Sequence, residues 1–225
     1  MIKFAGKLRK PPEAEPRTAA ATAILDVAEQ LVQTRGYNGF SYADVAAQLG
    51  VTKASLHYHF PSKAQLGSAL IDRYQTNFGG ALRAIDSGIK NPTEKLDRYI
   101  DLYDSVLRND RMCLCGMLAA EYSTLPLSMQ AALTAFFDAN ERWLTAAIQS
   151  GLDCGAFFLT EAANTRARVL LGALEGAMLI ARSYGDPSRF RTAAALLVAD
   201  LGRSNRRSRP AAASTAAARP RHLRR

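Results

Sequence analysis

SYADVAAQLGVTKASLHYHF, residues 41–60, holds two short helices and the turn between them. Ser41-x-x-Asp44 is a capping-box variant, and Phe40 and Val45 are spaced as a hydrophobic staple, so a helix starts here. The device returns with Thr52 as cap and Val51 and Leu56 as staple, and Ser62-x-x-Gln65 opens the helix after that. Between the first two lies Leu49-Gly50-Val51, a three-residue glycine turn, the connection that a helix-turn-helix for DNA requires. On the later helix, at about 100° per residue, Leu56 and Phe60 turn to the core while Ala54, His57 and Tyr58 project nearly opposite. Thr52 and Lys53 stand at its groove-facing start. A small residue lets such a helix sit deep in a major groove, and hydroxyl, imidazole and ammonium groups reach base edges or phosphates. Lys63 opposes the dipole of the next helix at a cost of about 0.3 to 1 kcal/mol, which a DNA phosphate at that N-terminus would offset.

Outward from this segment the pattern stays helical. From Ala19 to Gly202 apolar residues recur at three and four positions, with breaks at Gly, Pro or Asn and no sustained alternation. The first helix buries Ile24, Val27, Ala28 and Leu31 and stops at Gly36. A fifth starts at Asn91-Pro92-Thr93-Glu94 with Leu96, Tyr99, Ile100, Tyr103, Val106 and Leu107 on one stripe. A sixth is expected from Arg111 to Ser123, a seventh after Pro126, an eighth over about 160–184 and a ninth over 187–201. The fold class is therefore all-α, about nine helices: a three-helix N-terminal domain over 17–63 and a larger bundle over 64–202. Residues 1–16 and 203–225 lack apolar periodicity and read as disordered basic arms.

The formal charge of +9 is uneven: 203–225 carries +8, 1–17 carries +3, and the body between them −2. Residues 18–63 hold three basic and three acidic side chains, so DNA affinity there must come from placement. The Arg-rich tail reads equally as a nonspecific phosphate binder or as a solvated end. Three cysteines without a secretory leader point to a reducing cytoplasm. The longest uncharged stretch, Tyr122 to Phe137, falls short of the ~20 apolar residues of a membrane span.

The string Ile24-Leu25-Asp26-x-Ala28-x-x-Leu31, then Gly36-Tyr37, then Ser41-x-x-Asp44-Val45-Ala46, then VTKASLHYHFPSKAQL at 51–66 closely resembles the TetR/AcrR family of repressors. The resemblance implies a three-helix DNA-binding domain, a larger ligand-binding and dimerisation domain, and a homodimer on a palindromic operator. It sets Thr52, Lys53, Ala54, His57, Tyr58, His59 and Lys63 on DNA-contact positions and Ser41 on a phosphate contact. Two residues depart from the pattern. His57 replaces the usual tyrosine, and Ala21 stands where many members carry an arginine, a charge that Arg17, Lys10 or Arg9 would then supply.

In the larger domain, Met112, Met117, Leu118, Tyr122, Met129, Phe136, Phe137 and Trp143 suit either an adaptable apolar pocket or an ordinary core. Glu175, inside the apolar run Leu170 to Ile180, is expected to pair with Arg168 or Arg182, or to recognise an effector. The ligand set is therefore Met112, Met117, Tyr122, Phe136, Trp143, Glu175 and Met178. Gly172-x-x-x-Gly176, flanked by Ala173 and Ala177, gives the eighth helix a small-residue face, and the resemblance implies a dimer through the eighth and ninth helices. Cys113, Cys115 and Cys154 raise a thiol or electrophile switch, with Arg111 beside Cys113 lowering its pKa. Residues two apart on a helix diverge by about 200°, against a shared disulfide or metal.

No zinc set assembles, no cofactor is expected, and no Walker loop, Gly-rich fingerprint or nucleophile-base arrangement points to an enzyme. A helical carrier or enzyme without operator binding, and an architectural DNA binder driven by the tail, are the rival readings.

Overall fold

The structure, a computed structural model, describes residues 18–202. Both arms lie outside the described residues, as do Arg9, Lys10 and Arg17. Nine α-helices make up the fold and no strand occurs among the described residues. They are α1 (Ala19–Arg35), α2 (Tyr42–Leu49), α3 (Lys53–His59), α4 (Lys63–Gly88), α5 (Pro92–Leu107), α6 (Leu114–Ala120), α7 (Leu127–Asp153), α8 (Ala163–Ser183) and α9 (Pro187–Leu201). A single 3-10 turn, Tyr122–Thr124, separates α6 from α7.

The local chemistry of the helix ends explains most boundaries. Thr52 and Ser62 accept hydrogen bonds from the backbone N–H of Ser55 and Gln65 at 3.3 and 3.2 Å, closing the first turns of α3 and α4. Asp44 reaches back to the N–H of Ser41 at 2.7 Å. Asn91 accepts from the N–H of Thr93 and Glu94 at 2.9 and 3.1 Å, with Pro92 in the first helical position.

Two helices are shorter than the periodicity predicts. The sixth begins at Leu114, not Arg111, because the N–H of Met112 donates to the Gln33 carbonyl (3.1 Å) and Cys113 becomes the cap. It stops at Ala120, where the chain tightens into the 3-10 turn. The eighth begins at Ala163 because Glu161 is held outside the helix by the Nε of Arg166 (2.5 Å), whose other arm meets Asp200 of α9 at 3.0 Å. Val27, expected in the core, is half-buried, while Leu25 and Val32 join the buried face of α1.

Helix α1 is the hinge of the architecture. It packs on α2 within the N-terminal trio and on α4 and α6 of the larger bundle, where α7, α8 and α9 lie side by side and α5 rests on α7 and α9. Arg73 of α4 pins it through Asp26 and Glu29, each at 2.6 Å. Arg182 of α8 donates to the carbonyls of Gln33 and Thr34 at 2.8 and 2.6 Å. These carbonyls belong to the last turn of α1, whose orphan acceptors a guanidinium can satisfy.

Gly50 closes α2 in the left-handed region, φ 67° and ψ 30°, and nothing lies within 4 Å of a Cβ built there. Its glycine is needed for the backbone alone. Gly50→Ala is expected to lower stability by about 1 kcal/mol and Gly50→Asn by less, read as thermal melting shifts; an Ala variant as stable as wild type contradicts the strained turn.

Candidate nucleic-acid interface

The third helix has one used face and one free face. Leu56 and Phe60 are buried, and the Phe60 carbonyl is held by the hydroxyl of buried Tyr42 at 2.7 Å. Burial pushes the Tyr42 phenol up to about 12, so it remains a donor at any working pH. On the opposite side Thr52, Lys53, Ala54, His57 and Tyr58 are exposed, and His59 is half-buried. Tyr58 stands 83% exposed, edge-on to the His59 ring at 5.1 Å. A phenol so placed, unpartnered by the core, leaves its ring and hydroxyl for an external surface.

His57 is partly engaged. Its ring tilts over Tyr42 at 4.7 Å and its Nδ1 lies 3.2 Å from the Pro61 carbonyl. A proton on Nδ1 makes that contact a hydrogen bond and leaves Nε2 outward as an acceptor. Ser41 is exposed, with its hydroxyl donating to Asp44 at 2.6 Å.

Lys63 has a different occupation. Its ammonium donates to the Phe40 carbonyl at 2.5 Å and lies over the rings of Tyr37 (4.6 Å) and Phe40 (4.4 Å). Burial pulls its pKa down, against the upward pull of Glu121 and Asp44. The compensation for a cation at a helix N-terminus is supplied inside the chain, by a carbonyl and two π faces. Its claim on a phosphate thus rests on the resemblance alone.

The same corner carries a residue that the sequence did not single out. Glu121, at the end of α6, accepts from the backbone N–H of Tyr37 (2.5 Å) and Asn38 (3.2 Å), and Asn38 Nδ2 donates to Thr124 Oγ1 at 2.8 Å. A carboxylate from the larger bundle thereby grips the loop between α1 and α2. Contacts separated by 84 residues have no local signature, so no spacing rule finds them.

The seven proposed ligand residues do not form one set. Met112, Phe136 and Met178 are buried, Met117 is half-buried, and Tyr122 is 45% exposed on the 3-10 turn, away from the interior. Trp143 is half-buried, stacked on Tyr99 at 5.3 Å, with its Nε1–H donating to Asp86 at 2.9 Å. A cleft of about 550 Å³ opens between α4 and α7; of the seven only Phe136 lines it, together with Phe78, Leu82 and Asn140. Behind Asn140, whose Oδ1 accepts from the Tyr99 hydroxyl at 3.0 Å, Tyr99 and Tyr103 share a 3.0 Å hydroxyl contact. Asn140 breaks an apolar i, i+4 stripe with Phe136 and Leu144, the signal by which sequence could have flagged it.

Glu175 pairs with neither expected arginine: Arg168 meets Glu141 at 3.1 Å, and Arg182 is spent on α1. Instead it lies against Gly116 and is hydrogen-bonded with Cys113, while its Oε1 has no partner. Burial lifts its carboxyl to about 7. The thiols of Cys113 and Cys115 are pushed well up, first by burial and then by Glu175, the reverse of the activation expected from Arg111. Cys154 is exposed, its thiol near the Gly151 carbonyl at 3.5 Å.

Among known proteins, the family model described as bacterial regulatory proteins, tetR family, matches residues 24–70. The transcriptional regulator AcuR of Cereibacter sphaeroides is 25% identical over 183 residues, covering 77% of this chain and 84% of that protein. The HTH-type transcriptional repressor DhaR of a Mycobacterium species is 25% identical over 167 residues, covering 72% and 82%. The crystal structure of a TetR-family transcriptional regulator from Agrobacterium tumefaciens superposes with a TM-score of 0.79 at 32% identity, covering 82% of this chain and 98% of that one.

Two outcomes are expected. Glu121→Gln should cost about 1 to 2 kcal/mol, since bonds to a charged acceptor are the stronger kind. Amide hydrogen exchange at Tyr37 and Asn38 should accelerate, and unchanged exchange would remove Glu121 from this role. Because the folded chain holds the Glu175 proton more tightly than the unfolded chain, its stabilising share is complete below about pH 4.5 and is lost as pH rises through about 7. Glu175→Gln should therefore flatten the stability profile and exceed wild type at pH 8, by on the order of 3 kcal/mol at most, at about 1.4 kcal/mol per pKa unit. Parallel denaturation curves from pH 5 to 8 for the two proteins would contradict this.

Proposed function

The chain belongs to the TetR family of transcriptional regulators and is a DNA-binding protein, and we propose that it is a homodimeric repressor, released from a palindromic operator by a small, mainly apolar effector. The observation that carries this reading is the free face of α3: a helix anchored by Leu56, Phe60 and the Tyr42–Phe60 bond offers Ala54 and Tyr58 with no core duty of their own, beside an exposed His57 whose ring rests on Tyr42. In the proposed complex these side chains read base edges, Thr52 and Lys53 meet the backbone at the helix start, and Ser41, His59 and Lys63 complete the contact set. Repression, rather than activation, is supported by the similarity to DhaR, a transcriptional repressor.

Dimerisation through α8 and α9 is supported by an apolar stripe that this chain leaves uncovered. Val169, Leu179 and Ile180 are exposed on α8, in register with Gly172 and Gly176, and Leu196 is exposed on α9. Nothing lies within 4 Å of a Cβ built at either glycine, so the space over them is open to a second backbone. A contiguous patch of this kind marks an interface, and a two-fold pair of such faces closes on itself. Two reading helices held in this way would meet half-sites about one helical turn apart.

Release would follow if an effector in the larger bundle displaced α6 and the start of α7, because Glu121 and Thr124 hold the α1–α2 loop on which α3 is mounted. Thiol sensing is disfavoured at Cys113 and Cys115, which are buried and held protonated. No helix of the described residues is long and apolar enough to cross a membrane.

The test uses DNA selected by the full chain from a random pool. A palindromic consensus with half-sites about one turn apart is expected, and Tyr58→Ala should weaken its binding by about 10- to 100-fold with the melting temperature preserved. Normal operator binding by the Tyr58 variant would displace the docking face from α3.

A further inference from the structure

The interior of the larger bundle contains a carboxyl group, Glu175, that is hydrogen-bonded with the Cys113 thiol but faces no cation. Glu175 of α8 lies so close to Gly116 of α6 that a methyl group at position 116 would collide with its Oε2, while its Oε1 meets no polar partner. The groups that feel its charge are Tyr74, Tyr99, Tyr103, Cys113 and Cys115, all weak acids. None of them can bring a positive charge. The nearest arginines along α8 are committed elsewhere, Arg168 to Glu141 and Arg182 to the carbonyls of α1. Holding a carboxylate there without a cation is expensive, so the site favours any ligand that supplies one.

Its surroundings are aromatic. Tyr74, Phe78, Tyr99, Tyr103 and Phe136 form a continuous cluster with ring centroids 5.3–6.1 Å apart. The cleft between α4 and α7 reaches this cluster at Phe78 and Phe136. Of the five rings only Phe78 is partly exposed. It is followed by Gly79 and Gly80 in the middle of α4, where packing does not require glycine: the nearest atoms to built Cβ positions are on Arg83, at 3.5 and 3.8 Å. Glycine is a poor helix former, so the pair loosens α4 where the cleft meets the rings.

We propose that the effector is an organic cation, an ammonium with an aromatic or alkyl body, whose charge is met by Glu175 and whose body enters past Phe78 to lie among Tyr74, Tyr99, Tyr103 and Phe136. The inference rests on the effector-release reading above and narrows its small, mainly apolar effector to one whose apolar body carries a single positive charge. An anion is repelled by both the carboxylate and the ring faces. A wholly apolar compound leaves Oε1 unsatisfied, whereas an ammonium gains the carboxylate and the π faces together.

The full chain is titrated with benzyltrimethylammonium, its uncharged isostere neopentylbenzene, and phenylacetate, following the fluorescence of Trp143, the single tryptophan, which stacks on Tyr99. Release from the selected operator is measured in parallel. The ammonium is expected to bind at least about tenfold more tightly than the isostere, with phenylacetate not binding. Glu175→Gln should abolish that preference and Glu175→Asp retain part of it. Phe78→Leu, at a partly exposed position and with folding checked by its melting temperature, should weaken the ammonium severalfold with the carboxyl intact. A neutral compound that binds as well as the ammonium, an unchanged preference in Glu175→Gln, or no binding by any probe overturns the cation assignment. A neutral probe that binds as tightly as the ammonium and frees the operator overturns only that assignment and leaves the release reading standing. An ammonium that binds through Glu175 without loosening the operator supports the site and overturns release.

Discussion

The grip on residues 33–40 is the constraint on which the rest of this structure depends. Four backbone groups at that corner, the carbonyls of Gln33 and Thr34 and the N–H groups of Tyr37 and Asn38, are satisfied by side chains from far along the chain, Arg182 and Glu121. A helix end and the loop after it normally take their partners from water or from neighbouring residues. Here a guanidinium and a carboxylate take both roles, so the trio α1–α3 has its orientation set by the larger bundle. Lys63 tightens the same corner from the other side by holding the Phe40 carbonyl between two rings.

This arrangement gives a physical route between an interior site and the reading helix. Helix α6 is only seven residues long. Its start carries Cys113, bonded to Glu175, and the residue after its end is Glu121, bonded to the loop. A displacement at one end of so short a helix has few internal degrees of freedom in which to dissipate before reaching the other. Packed interiors respond to an inserted group by moving between discrete arrangements, not by yielding smoothly. The buried carboxyl is costly to the free protein, and that cost is a reserve of affinity for a ligand that neutralises it.

The helices and their order could be read in the sequence because they rest on short-range rules. Caps at Thr52, Ser62 and Asn91, the proline starts of α5 and α9, and the inward set Leu56 and Phe60 each depend on residues within a turn or two. The boundaries that shifted, at α6 and α8, did so where a long-range bond took part: Met112 to Gln33, and Asp200 to the Arg166 that also holds Glu161 five residues before it. The interior site was legible only in part. Glu175 and Phe136 stood out as a charge in an apolar run and as a large ring, but the cleft lining is drawn mainly from α4 and α7, which no periodicity brings together.

What the chain's order of residues settles is therefore the set of helices, the glycine turn at Gly50 and the outward face of α3, since side-chain direction on a helix follows from spacing alone. Even there the position of Lys63 was decided by folding: spacing put a cation against a dipole, and the packed corner turned it inward onto Phe40. The partnership of Glu121 with the α1–α2 loop, the spending of Arg182 on α1 and the placing of Glu175 against Cys113 and Gly116 with no arginine beside it all depend on which distant helices meet. Those pairings are set by how nine apolar faces can be buried at once, a condition on the whole chain that no single stretch of it contains.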